Sequence, residues 1–210
     1  MARSGGTVDG LTSEDETRVV ELARDSVREY VANGRREDPG SMRDAFYARH
    51  GAFVRLETDT PRSQLRGCAG AYDRPSDLQT ASEHLGTAIV DASIAAASDD
   101  SRNAVTAPEL DNITVTVFVA QSVEVTENPS EDVAVGRHGV GVEGRGKAGW
   151  MFPSVPVEHG WGIHEYLDRT CRKAGLPADA WREDDVQVVR MDGPVLAERE
   201  PGGSVDRPLD

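Results

Sequence analysis

The run Ile113-Thr114-Val115-Thr116-Val117-Phe118-Val119 sets Ile113, Val115, Val117 and Val119 on one side of a two-residue alternation and Thr114, Thr116 and Phe118 on the other. Both sides are at least partly apolar, so this strand is expected at the centre of a sheet. Upstream, Ala52–Glu57 and Leu65–Tyr72 are short extended segments split by Asp59, Thr60 and Pro61, and they read as a strand pair. Downstream, Val133–Val142 and Ala148–Phe152 flank Gly144-Arg145-Gly146-Lys147, the pattern of a hairpin with permissive glycines. Val186–Met191 supplies a late strand.

Helical periods fill the intervals. Ser13 and Glu16 have capping-box spacing, and Val19, Val20, Ala23, Val27, Tyr30 and Val31 follow on one face to about Ala32, before Asn33 and Gly34. Ser76 can cap a second helix with the stripe Leu78, Ala81, Leu85, Ala88, Ile89, Ala92 and Ala96, closing near Asp99 and Asp100. A third spans about Ile163 to Ala174, with Gly175 and Leu176-Pro177 as its stop. Strands and helices mix without regular alternation or repeat, which predicts an α+β fold. Residues 1–11 are expected as a flexible lead, 12–200 as one domain, and 201–210 as a flexible tail.

The chain has 210 residues, enough to bury a core without disulfides or metals. Its net charge of -14 comes from 37 acidic and 23 basic residues, and Lys147 and Lys173 are its only lysines. Such an acidic, lysine-poor surface suits very high salt, where repulsion is screened to within about 3 Å at 1 M. A halophilic source is expected; an ordinary acidic protein is the alternative. The same charge argues against a broad nucleic-acid footprint, which needs clustered cations. Residues 1–10 are polar and Gly-rich with no apolar core of a signal peptide, and no apolar run approaches ~20 residues. A cytoplasmic protein, neither secreted by a standard signal nor membrane-spanning, is expected.

Cys68 and Cys171 are too few for a disulfide framework, and no C-x-x-C pair exists for zinc. Neither a metal nor a cofactor is called for. Cys68 lies between Gly67 and Gly70 with Arg66 two residues upstream, so an ordinary strand would point Arg66 and Cys68 the same way. A neighbouring cation stabilises a thiolate and makes it a nucleophile. The alternative is a small buried hydrophobe with Arg66 paired to a carboxylate. Cys171 sits on the apolar stripe of its helix and reads as core. His84, His138, His159 and His164 are candidate bases for Cys68 and also plausible surface residues; none has an i, i+4 partner suggesting zinc. Gly141–Gly149 lacks the context of a phosphate loop, and Asp99-Asp100 and Glu183-Asp184-Asp185 read as solvated surface. Trp150, Phe152, Trp161, Tyr166 and Trp181 gather five of the eleven aromatics, including all three tryptophans, building a core, lining a groove, or both.

The motif LRGCAG from Leu65, the segment Gly149-Trp150-Met151-Phe152-Pro153, and Glu158-His159-Gly160-Trp161 through CRKAGLPADAW (Cys171–Trp181) together resemble the AMMECR family, whose prokaryotic members are called AmmeMemoRadiSam system protein A. The resemblance spans roughly Thr12 to Glu198. Ala69 stands where the family usually has isoleucine, and Ser101 and Asn103 replace a common proline and phenylalanine. The resemblance implies a compact two-lobed α+β fold, mostly antiparallel sheet with packed helices, around a cleft that the LRGC-x-G motif helps to line. It makes Arg66 and Cys68 the candidate catalytic residues and Gly67 and Gly70 the candidate binding residues. The system name implies a radical-SAM protein and a Memo-type protein as companions, although two cysteines cannot hold a four-cysteine cluster here. Two readings follow: an enzyme component whose Cys68 attacks or carries an electrophilic group, or a binding module whose cleft holds a partner segment or small ligand.

Overall fold

The computed structural model describes residues 10–40, 43–72, 84–99 and 104–210. Helix α1 (Ser13–Asn33) starts one residue earlier than the Ser13/Glu16 spacing suggests. Thr12 and Asp15 offer an overlapping box, and they form it: the Thr12 hydroxyl accepts the Asp15 N–H at 3.2 Å while the Asp15 carboxylate accepts the Thr12 N–H at 3.0 Å. Gly34, at φ 66°, closes the helix in the left-handed conformation that glycine adopts at least cost.

Strands β1 (Gly51–Thr58) and β2 (Leu65–Ala71) form the expected pair, followed by helix α2 (Leu85–Ala97). The expected first turns of α2, with Ser76, Leu78 and Ala81, lie outside the described residues, as does Asp100. Next come β3 (Ile113–Ala120), β4 (Ser122–Thr126), the single turn α3 (Pro129–Asp132), and the hairpin β5 (Gly139–Gly144) and β6 (Lys147–Met151). The strand expected from Val133 begins only at Gly139, because α3 and the left-handed Gly136 (φ 84°) interrupt it. Arg145 (φ 54°) and Gly146 (φ 72°) make the tight two-residue turn whose twist matches an antiparallel hairpin. Helices α4 (Ser154–His159) and α5 (Ile163–Lys173) precede β7 (Val186–Asp192), β8 (Val195–Glu198) and β9 (Val205–Asp206).

Among the described residues the strands form two antiparallel sheets, ordered β2-β1-β3-β8-β9 and β4-β7-β5-β6. The expected central strand is central: β3 bonds β1 on one side and β8 on the other. The segment expected as a flexible tail adds β9 to β8 through Ala197↔Asp206 and Glu198↔Val205, and Arg207 ion-pairs with Glu16 of α1. Main-chain pairing and that charge contact hold it against the domain.

The alternation in β3 explains the layering. Val115 and Val117 pack with Val54, Leu56, Leu85, Ile89 and Leu22 beneath α1 and α2. Phe118, on the other face, joins Phe53, Phe152, Val189, Met191 and Val195 in a cluster that unites the two sheets. Phe53 stacks on Phe118 at 5.8 Å and meets Trp150 at 4.3 Å between ring centres. A third cluster packs Tyr166, Leu167 and Cys171 of α5 on Val140, Val142 and Val188. The fully buried Tyr166 hydroxyl lies 3.1 Å from the carbonyls of His138, Met151 and Phe152, supplying a donor where the hairpin leaves the sheet. One charged pair is buried as well: Arg24 of α1 meets Glu198 of β8 with both side chains under 10% exposed.

Candidate functional site

Strand β2 is an edge strand whose small residues let its two faces do different things. On the helix side, a Cβ at Gly67 would stand 1.8 Å from the Ala96 carbonyl oxygen, so glycine lets β2 press directly on the α2 backbone. A Cβ at Gly70 would meet Phe53 Cδ1 at 2.5 Å and the Ala52 carbonyl at 2.4 Å. Cys68 is half-buried and packs against the inter-sheet aromatic cluster. Its direct cross-strand partner is Arg55, which is paired in turn with Thr116 of β3, so Cys68, Arg55 and Thr116 form one row across three strands.

A cavity of about 350 Å³ opens between the edge strands β2 and β6, lined by Cys68, Tyr72, Glu143, Trp150 and Lys173, with Gly70, Ala71, Ala148 and Gly149 leaving backbone exposed between them. The Tyr72 hydroxyl donates to Glu143 Oε1 at 2.5 Å, joining the end of β2 to β5. The Lys173 ammonium lies 4.1 Å from the centre of the Trp150 ring, a cation on an aromatic face. A thiol and an oriented phenol from the β2 segment, a carboxylate from β5 and an ammonium from α5 therefore converge.

Arg66 is placed differently from the expectation that it shares a face with Cys68. The β1–β2 register shifts between Leu56 and Glu57, which pair with Gly67 and Leu65, so Arg66 is the extra residue of a bulge. A bulge re-aims its side chain. The Arg66 guanidinium bonds Glu109, with Nε 2.6 Å from Oε1, in the 3-10 turn Ala107–Asn112 before β3. That bond, with further donors from Thr106, holds the Glu109 carboxyl down to about 2. A carboxyl depressed in the folded state contributes stability that is fully present above its unfolded value and is lost as pH falls through the folded one. Acid titration of the protein should therefore show a loss of stability between about pH 4.5 and 2 that Glu109→Gln flattens; an unchanged acid limb in chemical denaturation would show that this pair is not formed.

The histidines weighed as bases stand elsewhere. His84 Nδ1 is 2.8 Å from the Tyr47 carbonyl, His159 stacks on Trp161 at 4.6 Å, and His164 stacks on Trp181 at 5.8 Å. His138 is buried, accepts the Ala134 N–H at 3.0 Å, and is pushed down by burial against the opposing pull of Asp192. Cys171 is wholly buried on α5, and burial pushes its thiol up. Among the described residues no group of three His, Cys, Asp or Glu is placed to hold a metal ion, and no helix is long and apolar enough to cross a membrane.

A family model described as AMMECR1 matches residues 20–195. The chain belongs to the AMMECR1 family. Protein VNG_2543C of Halobacterium salinarum is 50% identical to it over 201 residues, covering 95% of this chain and 94% of that protein. A protein of Thermococcus onnurineus is 38% identical over 197 residues, covering 90% and 93%. The crystal structure of the uncharacterized protein PH0010 from Pyrococcus horikoshii matches with a TM-score of 0.82 at 34% identity, covering 94% of this chain and 98% of that one. None of these names states an activity.

Within the AMMECR1 frame, the LRGCAG motif divides its labour: Gly67 packs on α2, Arg66 ties the bulge to Glu109, and Cys68 and Gly70 line the cavity. Sequence reasoning missed Tyr72, Glu143 and Lys173 as their companions. Lys173 carried a signal, being one of two lysines among 23 basic residues. Glu143 carried none, since one carboxylate among 37 acidic residues is not distinctive.

Proposed function

We propose that this AMMECR1-family protein binds a small anionic, electrophilic ligand in the cleft between β2 and β6, and that Cys68 attacks or carries it as part of an enzyme system. The observation that carries this reading is the meeting of Cys68, the Tyr72–Glu143 pair and the Trp150-borne Lys173 around one cavity. Lys173 supplies positive potential for an anionic substituent. Tyr72, held by Glu143, presents an oriented hydroxyl for proton transfer, a role that needs the partner within hydrogen-bond reach. The bare backbone of Gly70, Ala71, Ala148 and Gly149 leaves room for a ligand to lie close. Arg66 and Gly67 serve the site through β2, fixing the strand that carries the thiol. The companions implied by the family association, a radical-SAM protein and a Memo-type protein, would supply or receive the carried group.

Disulfide capture tests the reading directly. Small disulfides bearing carboxylate or ammonium ends, offered to the native protein, are expected to modify Cys68 and to leave Cys171 untouched, with the carboxylates preferred; Lys173→Glu should reverse the preference. Capture that ignores charge, or that spares Cys68, contradicts it. The second reading, a non-catalytic adaptor, is favoured by the packing of Cys68 against the buried inter-sheet cluster; on that reading Cys68→Ser would leave partner or ligand binding intact.

The surface is proposed to be adapted to salt, in keeping with a charge of -14. Melting temperature is expected to rise between ~0.1 M and ~1 M KCl, as the screening length falls from about 10 Å to about 3 Å and self-repulsion fades. A melting temperature that falls over that interval would show attractive surface pairs to dominate instead.

A further inference from the structure

Directly opposed residues in an antiparallel pair carry their Cβ atoms on one face about 4.5–5.5 Å apart, and the residue opposed to Cys68 is Arg55. The Arg55 side chain is only 14% exposed, so its charge is weakly screened. Its guanidinium spans two carboxylates: Nη2 lies 2.7 Å from Glu57 Oε1 and 2.9 Å from Glu158 Oε2, and Nη1 lies 2.8 Å from Glu158 Oε1. Ser154 is 3.5 Å from Nη1. Glu57 is fixed beside Arg55 on β1, whereas Glu158 belongs to α4, the short helix leading into the His159-Gly160-Trp161 turn.

We propose that Arg55, rather than Arg66, is the positioning cation of the Cys68 thiol, and that Glu158 competes with the thiolate for its guanidinium. The proposal rests on the cleft reading above and assigns the charge control of that site. Among the described residues, the charged and titratable groups on the elements packed about the thiol are Arg55 and Glu57 of β1, Arg66 and Tyr72 of the β2 segment, Glu143 of β5, Glu158 of α4 and Lys173 of α5. Of the two arginines, Arg66 is drawn away to Glu109 by the bulge, while Arg55 shares the thiol's row. Because one guanidinium serves two carboxylates, the field at Cys68 depends on the hold of Glu158, whose side chain is 42% exposed. Removing Arg55 takes a cation from the thiol's row while Glu57 and Glu158 remain, and disfavours the thiolate; removing the Glu158 charge releases the guanidinium and favours it.

The test is a pH titration of ultraviolet thiolate absorbance in Arg55→Met, Arg55→Lys, Glu158→Gln and Arg66→Met, each referenced to the same protein carrying Cys68→Ser so that Cys171 and the tyrosines cancel. Arg55→Met should raise the midpoint by about one pH unit or more, the range for loss of an adjacent opposite charge. Arg55→Lys should restore most of it, Glu158→Gln should lower it, and Arg66→Met should move it less than Arg55→Met does. Unmoved midpoints in Arg55→Met and Glu158→Gln, or an Arg66→Met effect as large as that of Arg55→Met, would overturn the proposal. If Arg55→Met does not fold, Glu158→Gln decides the matter: a lowered midpoint supports the proposal and an unmoved one overturns it. The absorbance reads the thiol whether or not a reagent reaches it, so a Cys68 that titrates with these shifts but captures no disulfide refutes the cleft reading alone.

Discussion

Arg24→Met is expected to destabilise the protein by about 3–5 kcal/mol, the cost of stranding one member of a buried ion pair. The stranded group is Glu198, whose side chain is 3% exposed and whose carboxylate otherwise receives Arg24 and the Val115 N–H at 3.0 Å. Arg24 also donates to the Ile113 carbonyl at 2.6 Å and lies 3.3 Å from that of Leu110. One guanidinium thus ties α1 to the start of β3, the 3-10 turn before it, and β8. Removing both charges in Arg24→Met with Glu198→Met should recover part of the loss, because a buried charge is no longer left alone. Recovery stays incomplete, since the Ile113 carbonyl and the Val115 N–H lose their partners and a buried unsatisfied group costs about 1–3 kcal/mol. Urea denaturation of the two single variants and the double variant measures all three; a loss below about 1 kcal/mol for Arg24→Met would place the pair in water, where such pairs contribute little.

The second large effect lies in the motif itself. Gly67→Ala sets a methyl group 1.8 Å from the Ala96 oxygen and 2.8 Å from its carbonyl carbon, both backbone atoms of α2. No side-chain rotation relieves that contact, so β2 and α2 must separate, and the cost is expected at about 3 kcal/mol or more, the upper end for overpacking a filled interior. Gly146→Ala is the useful contrast. Gly146 sits at φ 72° with nothing within 4 Å of its added Cβ, so it loses only the conformational term, about 1–2 kcal/mol. Thermal melts of the pair should rank Gly67→Ala well below Gly146→Ala; the reverse order would mean that β2 does not press on α2. Because Cys68 follows Gly67, a separated β2 should also leave the cleft poorly formed, which ties the motif's packing to its chemistry.

What could be read from the sequence was whatever a local period decides. Ile113–Val119 announced a strand with two apolar faces, and those faces meet the α1–α2 layer on one side and the second sheet on the other. The stripe of Ile163, Leu167, Thr170, Cys171 and Ala174 announced a buried helix face; Leu167, Thr170 and Cys171 are wholly buried and Ala174 is buried, while Ile163 at the helix start is half-buried. The site was legible only in part, because its assembly is set by partners far along the chain. Arg66 and Cys68 are two apart and would share a face in a regular strand, but the shift at Leu56 and Glu57 makes Arg66 a bulge residue and puts Arg55 opposite the thiol. Nothing within LRGCAG encodes that shift; it belongs to the pairing with β1. Tyr72, Glu143 and Lys173 come together only once the edge of one sheet faces the edge of the other. The C-terminal residues look polar and unstructured in isolation, yet β9 gains its order from the free edge of β8.

In the proposed function Cys68 presents a reactive thiol to a cleft while Cys171 is core. Alkylation by a small reagent across a pH series in high salt, with the two cysteine peptides followed separately by mass spectrometry and the unfolded chain as reference, tests it most directly. Cys68 is expected to be modified in the folded protein, at least as fast as in the unfolded chain near neutral pH, and Cys171 is expected to react only on unfolding. Modification of Cys68 that waits for unfolding, in step with Cys171, would contradict it and make the LRGCAG thiol a packing residue.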